Sequence, residues 1–357
     1  MPRYATLILI VATAIHYGHG QPQTREPDSQ RPSAEQTAAA TVYWCEDMDA
    51  IDGFRASPAA VRRMVDALVR AVTGAATTSA AWASLAAPGE TVGIKVTTSG
   101  GRLFSTRFAL VASIVEGLQS AGMPGDRIVV WGRESAALRE AGFTSDALGC
   151  RVAAIDGRFS EQPVYFSPRP GKLIWGDREF SPARSAFATT SRRNGALSSK
   201  SHFGALLAEF DTIINVPLLS DSAFTGLHGA LASLALDSID NWRRFARPPG
   251  FGAADLPQIW ASDPLGPKVV LNIVDGLTAQ YAGGPWFAPN YMIEHARIYA
   301  SRDPVAIDAT ALAEIEGWRE QAKLPPASRK AGHIAAAAQL GLGVAAPGRI
   351  ETRQVTP

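Results

Sequence analysis

The chain has 357 residues, enough for one large domain or two smaller lobes. Its 46% hydrophobic and 19% charged residues suit a protein with a substantial core. A formal net charge of +1 gives no overall field toward nucleic acid or an anionic membrane, and no Lys/Arg cluster interleaved with aromatics marks a nucleic-acid surface.

In chain order, the first residues read as a secretory signal. Arg3 precedes an apolar run of 11 residues, Ala5 to Ile15, and Gly18-His-Gly20 places small residues before a cut at Gln21. The run is too short to span a bilayer as a helix, so no stable span is expected after cleavage, and the expected location is periplasmic or secreted. A retained anchor and a misassigned start codon are the alternatives. Paired arginines of a twin-arginine signal are absent. Residues 21–40, rich in Gln, Pro, Ser, Glu and Ala, read as a disordered tether. Residues 41–357 are then one α/β domain.

Within it, Thr41 to Trp44 is β-prone. Pro58 to Val72 has helical apolar spacing behind Ser57 as N-cap. Glu90 to Thr97 reads as a buried strand, Thr106 to Ala121 as a helix stopped by Gly122, and Arg127 to Trp131 as a strand. Glu134 to Ala141 is a short helix and Arg151 to Asp156 another strand. This alternation predicts a mainly parallel β-sheet with flanking helices. The pattern changes at Val164 to Pro182, which looks like an inserted β-hairpin excursion at about 160–200, closed by a Ser- and Arg-rich loop. Helix is then expected over Ser201 to Phe210 and a core strand over Asp211 to Pro217. Phe224 to Leu236 reads as helix, Lys268 to Asp275 and Ala296 to Ala300 as strands, and Asp303 to Gly317 and Ser328 to Leu340 as helices.

The order of short motifs resembles the family catalogued as domain of unknown function 362. Gly93-Ile-Lys95-Val is similar to its opening strand-and-lysine motif. Ile213-Ile-Asn-Val-Pro217 followed by Gly226-Leu-His-Gly-Ala-Leu231 resembles its central block. Asp275-Gly, Gly283-Gly-Pro285 and Ser301-Arg-Asp303-Pro-Val-Ala-Ile-Asp308 resemble its C-terminal signature. The similarity runs from about residue 90 to residue 344. The family's usual Lys-x-His and Lys-Asn of the central block are replaced here by Leu219-Ser-Asp221 and Ala232-Ser233. The ferredoxin modules of some relatives are missing, as in an exported subgroup.

Several side chains are candidates for chemistry. Asp275, at the expected end of an apolar strand, is a metal ligand, general base or hydroxyl acceptor, or an Asx-turn residue. Asp303 is an N-cap. Asp308, in an apolar helical turn, is an acid or cation ligand, or a carboxylate that stabilises the helix start. Lys95 beside the Gly100-Gly101 loop holds a carboxylate or phosphate, or reaches solvent. Arg102, Ser105, Asn215 and His228 are candidate ligand contacts, with Gly283 and Gly284 in a lid-like loop. Asp221, Asp275 and Asp308 with His228 form a candidate divalent-cation set. Two cysteines, Cys45 and Cys150, are too few for an iron–sulfur cluster; they form one disulfide or stay as buried thiols. No nicotinamide fingerprint, P-loop end or Gly-x-Ser-x-Gly elbow occurs, so no nicotinamide cofactor is expected. The expected partner is a small polar or anionic molecule, acted on by Lys95, Asp275 and Asp308 or bound without turnover.

Overall fold

In the computed structural model the chain's described residues are 39–166, 170–180, 197–246 and 252–357. The signal, most of the tether and part of the excursion lie outside them. Ten strands form one sheet: β1 (Ala40–Glu46), β2 (Val92–Val96), β3 (Ile128–Gly132), β4 (Arg151–Ala154), β5 (Thr212–Val216), β6 (Leu218–Ser222), β7 (Gly226–Leu227), β8 (Val269–Gln280), β9 (Met292–Ser301) and β10 (Ile350–Val355). The main path runs β10-β1-β9-β8-β5-β2-β3-β4, with β6 and β7 added beside the outer half of β8. Pairing along β8-β5-β2-β3-β4 is parallel, and β9 pairs antiparallel with β8 and β1. This is the mainly parallel α/β architecture that the strand–helix alternation predicts.

The central strands are buried along their whole length, because helices cover both faces. One face carries α1 (Pro58–Thr73), α2 (Thr78–Ala83) and α3 (Phe108–Ser120). On α1 the stripe Val61, Met64, Val65, Leu68 and Val69 is buried, Pro58 opens the helix, and Gly74 closes it at φ 72°. α4 (Ser135–Ala141) connects β3 to β4. The opposite face carries α5 (Ala230–Asp237), α6 (Asp255–Trp260), α7 (Pro304–Gln321) and α8 (Gly332–Gln339). Among the described residues no helix is long and apolar enough to cross a membrane.

Two expectations change, one strand is added and one alternative is decided. The helix expected over residues 201–210 is only a 3-10 turn, Ala205–Glu209, because Ser201 exchanges backbone hydrogen bonds with Val164 and the His202 N–H donates to Asp240 Oδ1. β8 does not stop at Asp275; β6 and β9 cover its two edges and carry the pairing to Gln280, with irregular register around Gly276. β10 escapes the sequence pattern because it is a largely exposed edge strand reading Ile-Glu-Thr-Arg-Gln-Val. Cys45 and Cys150 are both free buried thiols, which burial pushes up to about 11. The expected hairpin survives in part, as a two-residue ribbon of Gly171–Lys172 with Leu197–Ser198.

Candidate functional site

The site is built on one row of the sheet. Lys95 on β2 lies beside Trp131 on β3 and Asn215 on β5, and Asn215 lies beside Asn272 on β8. These residues share the face on which α5 packs. α5 is apolar nearly all round and buried, so the polar row beneath it must find its partners there. Asn215 Nδ2 donates to Ala230 O (3.0 Å) and Asn272 Oδ1 (3.1 Å). Lys95 Nζ, on a fully buried side chain, donates to Ser233 Oγ (3.0 Å) and Thr97 Oγ1 (3.2 Å) and pairs with Asp237 Oδ2 at 2.9 Å.

Charges bracket both ends of α5. At its N-terminus Asp308 of α7 accepts from the Ala230 N–H (2.5 Å) and the Leu231 N–H (2.9 Å). At its C-terminal end Arg133 donates to Ile239 O (2.6 Å) and Asp240 O (2.9 Å), beside the Lys95–Asp237 pair. An anion at the first turn and cations at the last complement the helix dipole, each by about 0.3–1 kcal/mol and up to about 2 when partly buried.

A cavity of 480 Å³ opens beyond the C-terminal ends of β2, β3 and β6, within the range of small-molecule sites. Thr97, Thr98 and Ser99 bring hydroxyls from one wall, and Arg133 and Glu134 come from the β3–α4 turn. Asp237 and His228 come from the two ends of α5. Phe224, Trp242 and Trp286 form an aromatic side, with Arg243 beside them. The His228 imidazole lines the cavity and makes no side-chain hydrogen bond to the described residues. Burial, opposed by Asp237 and aided by Lys95, pushes it down to about 4, so it is neutral at pH 7. For Asp237, burial alone would raise the carboxyl; Lys95, His228 and Arg133 outweigh it and hold the group below its ordinary value. His333 of α8 is fully buried behind this site, neither ring nitrogen has a partner among the described residues, and burial pushes it down to about 4.

The sequence candidates separate. His228 lines the cavity. Lys95 lies beneath it and reaches it through Asp237 and Thr97. Asp275 sits in mid-strand, accepting from the Arg107 N–H (2.6 Å) at the start of α3 and from the Leu277 N–H (3.2 Å); burial raises its pKa. Asp308 spends both oxygens on α5, and burial lifts it to about 7 despite those two N–H donors. Asp221 accepts from the Gly284 N–H (2.8 Å) and stands 3.6 Å from Arg319. Gly283 and Gly284 thus belong to a pinned loop, whose next residues, Pro285 and Trp286, face the cavity. Arg102 and Ser105 line a separate cavity of 390 Å³ with Arg107 and Phe108, because the Thr98–Gly100/Phe104–Ser105 ribbon divides the two spaces.

The expected cation set of Asp221, Asp275, Asp308 and His228 does not converge. Each carboxylate is drawn to a different backbone segment, and among the described residues no three His, Cys, Asp or Glu groups could hold a metal. Asp303, by contrast, caps α7 as read, accepting from the Val305 and Ala306 N–H groups at 2.8 Å. The sequence reading passed over Asp237, Arg243 and Phe224; Trp242 and Trp286 stood among the tryptophans read as core fillers or a stacking platform. Asp237 carried one usable signal, a lone acid closing an apolar helix.

Residues 179–313 match the family described as Domain of unknown function (DUF362), within the span traced from the motifs. No curated protein matches. Among solved structures, the lactate racemase apoprotein from Thermoanaerobacterium thermosaccharolyticum matches with 12% identity and a TM-score of 0.30, over 68% of this chain. The match covers 51% of that structure's chain, so this chain spans about half of the protein it resembles.

Proposed function

We propose that this chain, which residues 179–313 place in the DUF362 family, is an enzyme that performs acid–base chemistry on a small anionic molecule in the 480 Å³ cavity, with His228 moving the proton. One observation carries the reading. A neutral imidazole with no side-chain hydrogen bond to the described residues faces a cavity whose floor is a closed Lys95–Asp237 ion pair.

The electrostatics suit an anion. Lys95 matches Asp237, so Arg133 and Arg243 face a single unmatched carboxylate, Glu134. An anion beside His228 stabilises imidazolium and lifts its pKa from about 4 toward the working range of a general base. Substrate binding then activates the base. Asp237 balances the resulting charge, while Lys95 keeps Asp237 ionised. The residues first suspected of catalysis, Lys95, Asp275 and Asp308, hold the scaffold around this centre.

The test is a thermal-shift screen of small carboxylates and phosphates, followed by turnover assays of hits with wild type and His228→Gln. The expected result is proton uptake on binding between pH 5 and 7 and at least a hundredfold loss of turnover in the variant. Full turnover in His228→Gln would refute the assignment.

A non-catalytic binding protein is the second reading, favoured by the complete burial of Lys95, by Leu219 and Asp221 standing where the family usually has lysine and histidine, and by Ala232 and Ser233 where it usually has lysine and asparagine. It predicts the same ligand hits with no turnover. Export is proposed on the N-terminal sequence alone, and a mature protein beginning at Gln21 would support it.

A further inference from the structure

We infer that the ligand of this cavity carries a planar ring with an attached carboxylate or phosphate, the ring against Trp286 and the anion at Arg243. The inference rests on the reading of the cavity as a ligand site and specifies its substrate class.

Trp286 is 61% exposed, yet its backbone is tightly held. Its carbonyl accepts from Gln280 Nε2 (2.9 Å), and Gln280, itself fully buried, also accepts from the Ala288 N–H (2.7 Å) through Oε1. On the other side Gly284 is gripped twice, its N–H by Asp221 Oδ1 (2.8 Å) and its carbonyl by the Ala223 N–H (2.7 Å). A Cβ at Gly284 would come within 2.1 Å of Asp221 O, so the loop packs too closely to accept a side chain there. Two buried polar side chains therefore fix the backbone of a tryptophan whose ring remains open to solvent. That is preorganisation of an apolar wall for something absent from the chain itself.

The other aromatics agree. Phe224 stands 5.3 Å from Trp286 and 6.0 Å from Trp242, at steep interplanar angles of 77° and 62°. Neither tryptophan is stacked face to face by the protein. Arg243 lies 4.6 Å over the Trp242 ring, is exposed, and makes no ion pair among the described residues. A guanidinium placed over an indole, with no ion pair of its own among the described residues, keeps N–H donors for a carboxylate or phosphate. Arg133, by contrast, turns Nη1 and Nη2 to the carbonyls at and beyond the end of α5. The free cation, the open ring and the neutral His228 line one cavity, which a ring with a short anionic arm fills.

The test is isothermal titration with benzoate, phenyl phosphate, cyclohexanecarboxylate and benzyl alcohol. Benzoate or phenyl phosphate is expected to bind at least tenfold more tightly than the saturated acid and the alcohol. Trp286→Ala and Arg243→Gln, both at exposed positions, are each expected to weaken that binding at least fivefold. Cyclohexanecarboxylate binding as tightly as benzoate, or unchanged affinity in Trp286→Ala, overturns the ring assignment and leaves the anion site standing. His228→Gln is expected to keep ring binding while losing the coupled proton uptake, which separates this inference from the acid–base role. Failure of every anion to bind overturns both.

Discussion

Replacing Asp308 with alanine tests whether this carboxylate is a helix cap. Asp308 is fully buried and accepts from two α5 N–H groups, Ala230 at 2.5 Å and Leu231 at 2.9 Å. Removing it leaves both donors without their acceptor, and each orphaned buried N–H costs about 1–3 kcal/mol. A water entering the vacated space returns part of that, so the expected loss is about 2–4 kcal/mol. Asp308→Asn keeps one acceptor oxygen and should fall between. The pH dependence has a definite sign. The folded-state pKa is raised from 3.8 to about 7, so the folded state binds the proton more tightly and the side chain's contribution declines as pH rises through that window. The penalty of Asp308→Ala is therefore larger at pH 5 than at pH 8. Equilibrium urea unfolding at both values measures it, with m unchanged. A variant within 0.5 kcal/mol of wild type at pH 5, or a penalty that grows toward pH 8, would refute the capping argument.

Gly229→Ala should destabilise through the same contact, since its Cβ would lie 2.1 Å from Asp308 Oδ1; thermal unfolding no lower than wild type would contradict this. Lys95→Met leaves Asp237 without its partner and should cost about 3 kcal/mol, much of it recovered in the double variant with Asp237→Asn; additive costs in that cycle would count against the pair. For His333 the folded-state pKa is lowered from 6.5 to about 4, so its contribution is present above 6.5 and is lost as pH falls toward 4. That loss is on the order of 3 kcal/mol, and His333→Leu should flatten the acid limb of the stability profile in urea titrations.

The sheet was legible because its central strands are short apolar runs separated by helices, a pattern set by burial on both faces. Asp303 was legible for a similar reason: Asp-Pro before an apolar helix is a local signal, and the cap it makes is local. His228, between two glycines, stood out as available and does line the cavity. What failed was the inference from Asp-Gly to a strand end. The pairing of β6 along β8 carries the strand past Asp275, and pairing between segments more than 50 residues apart has no local trace.

Local patterning by itself determined the α/β class, most element positions and the presence of polar groups inside apolar segments. Tertiary structure alone decided what those groups do. Asp275, Asp308 and Asp221 look alike in sequence, as acids amid apolar neighbours, and each is consumed by a backbone N–H that the fold brings from elsewhere. A buried carboxylate must find such a donor or give up its charge, and only the packing says which donor is in reach. The same packing brings His228 from the entrance of α5 to the Lys95–Asp237 pair at its exit, and so turns a histidine between glycines into the centre of the proposed site.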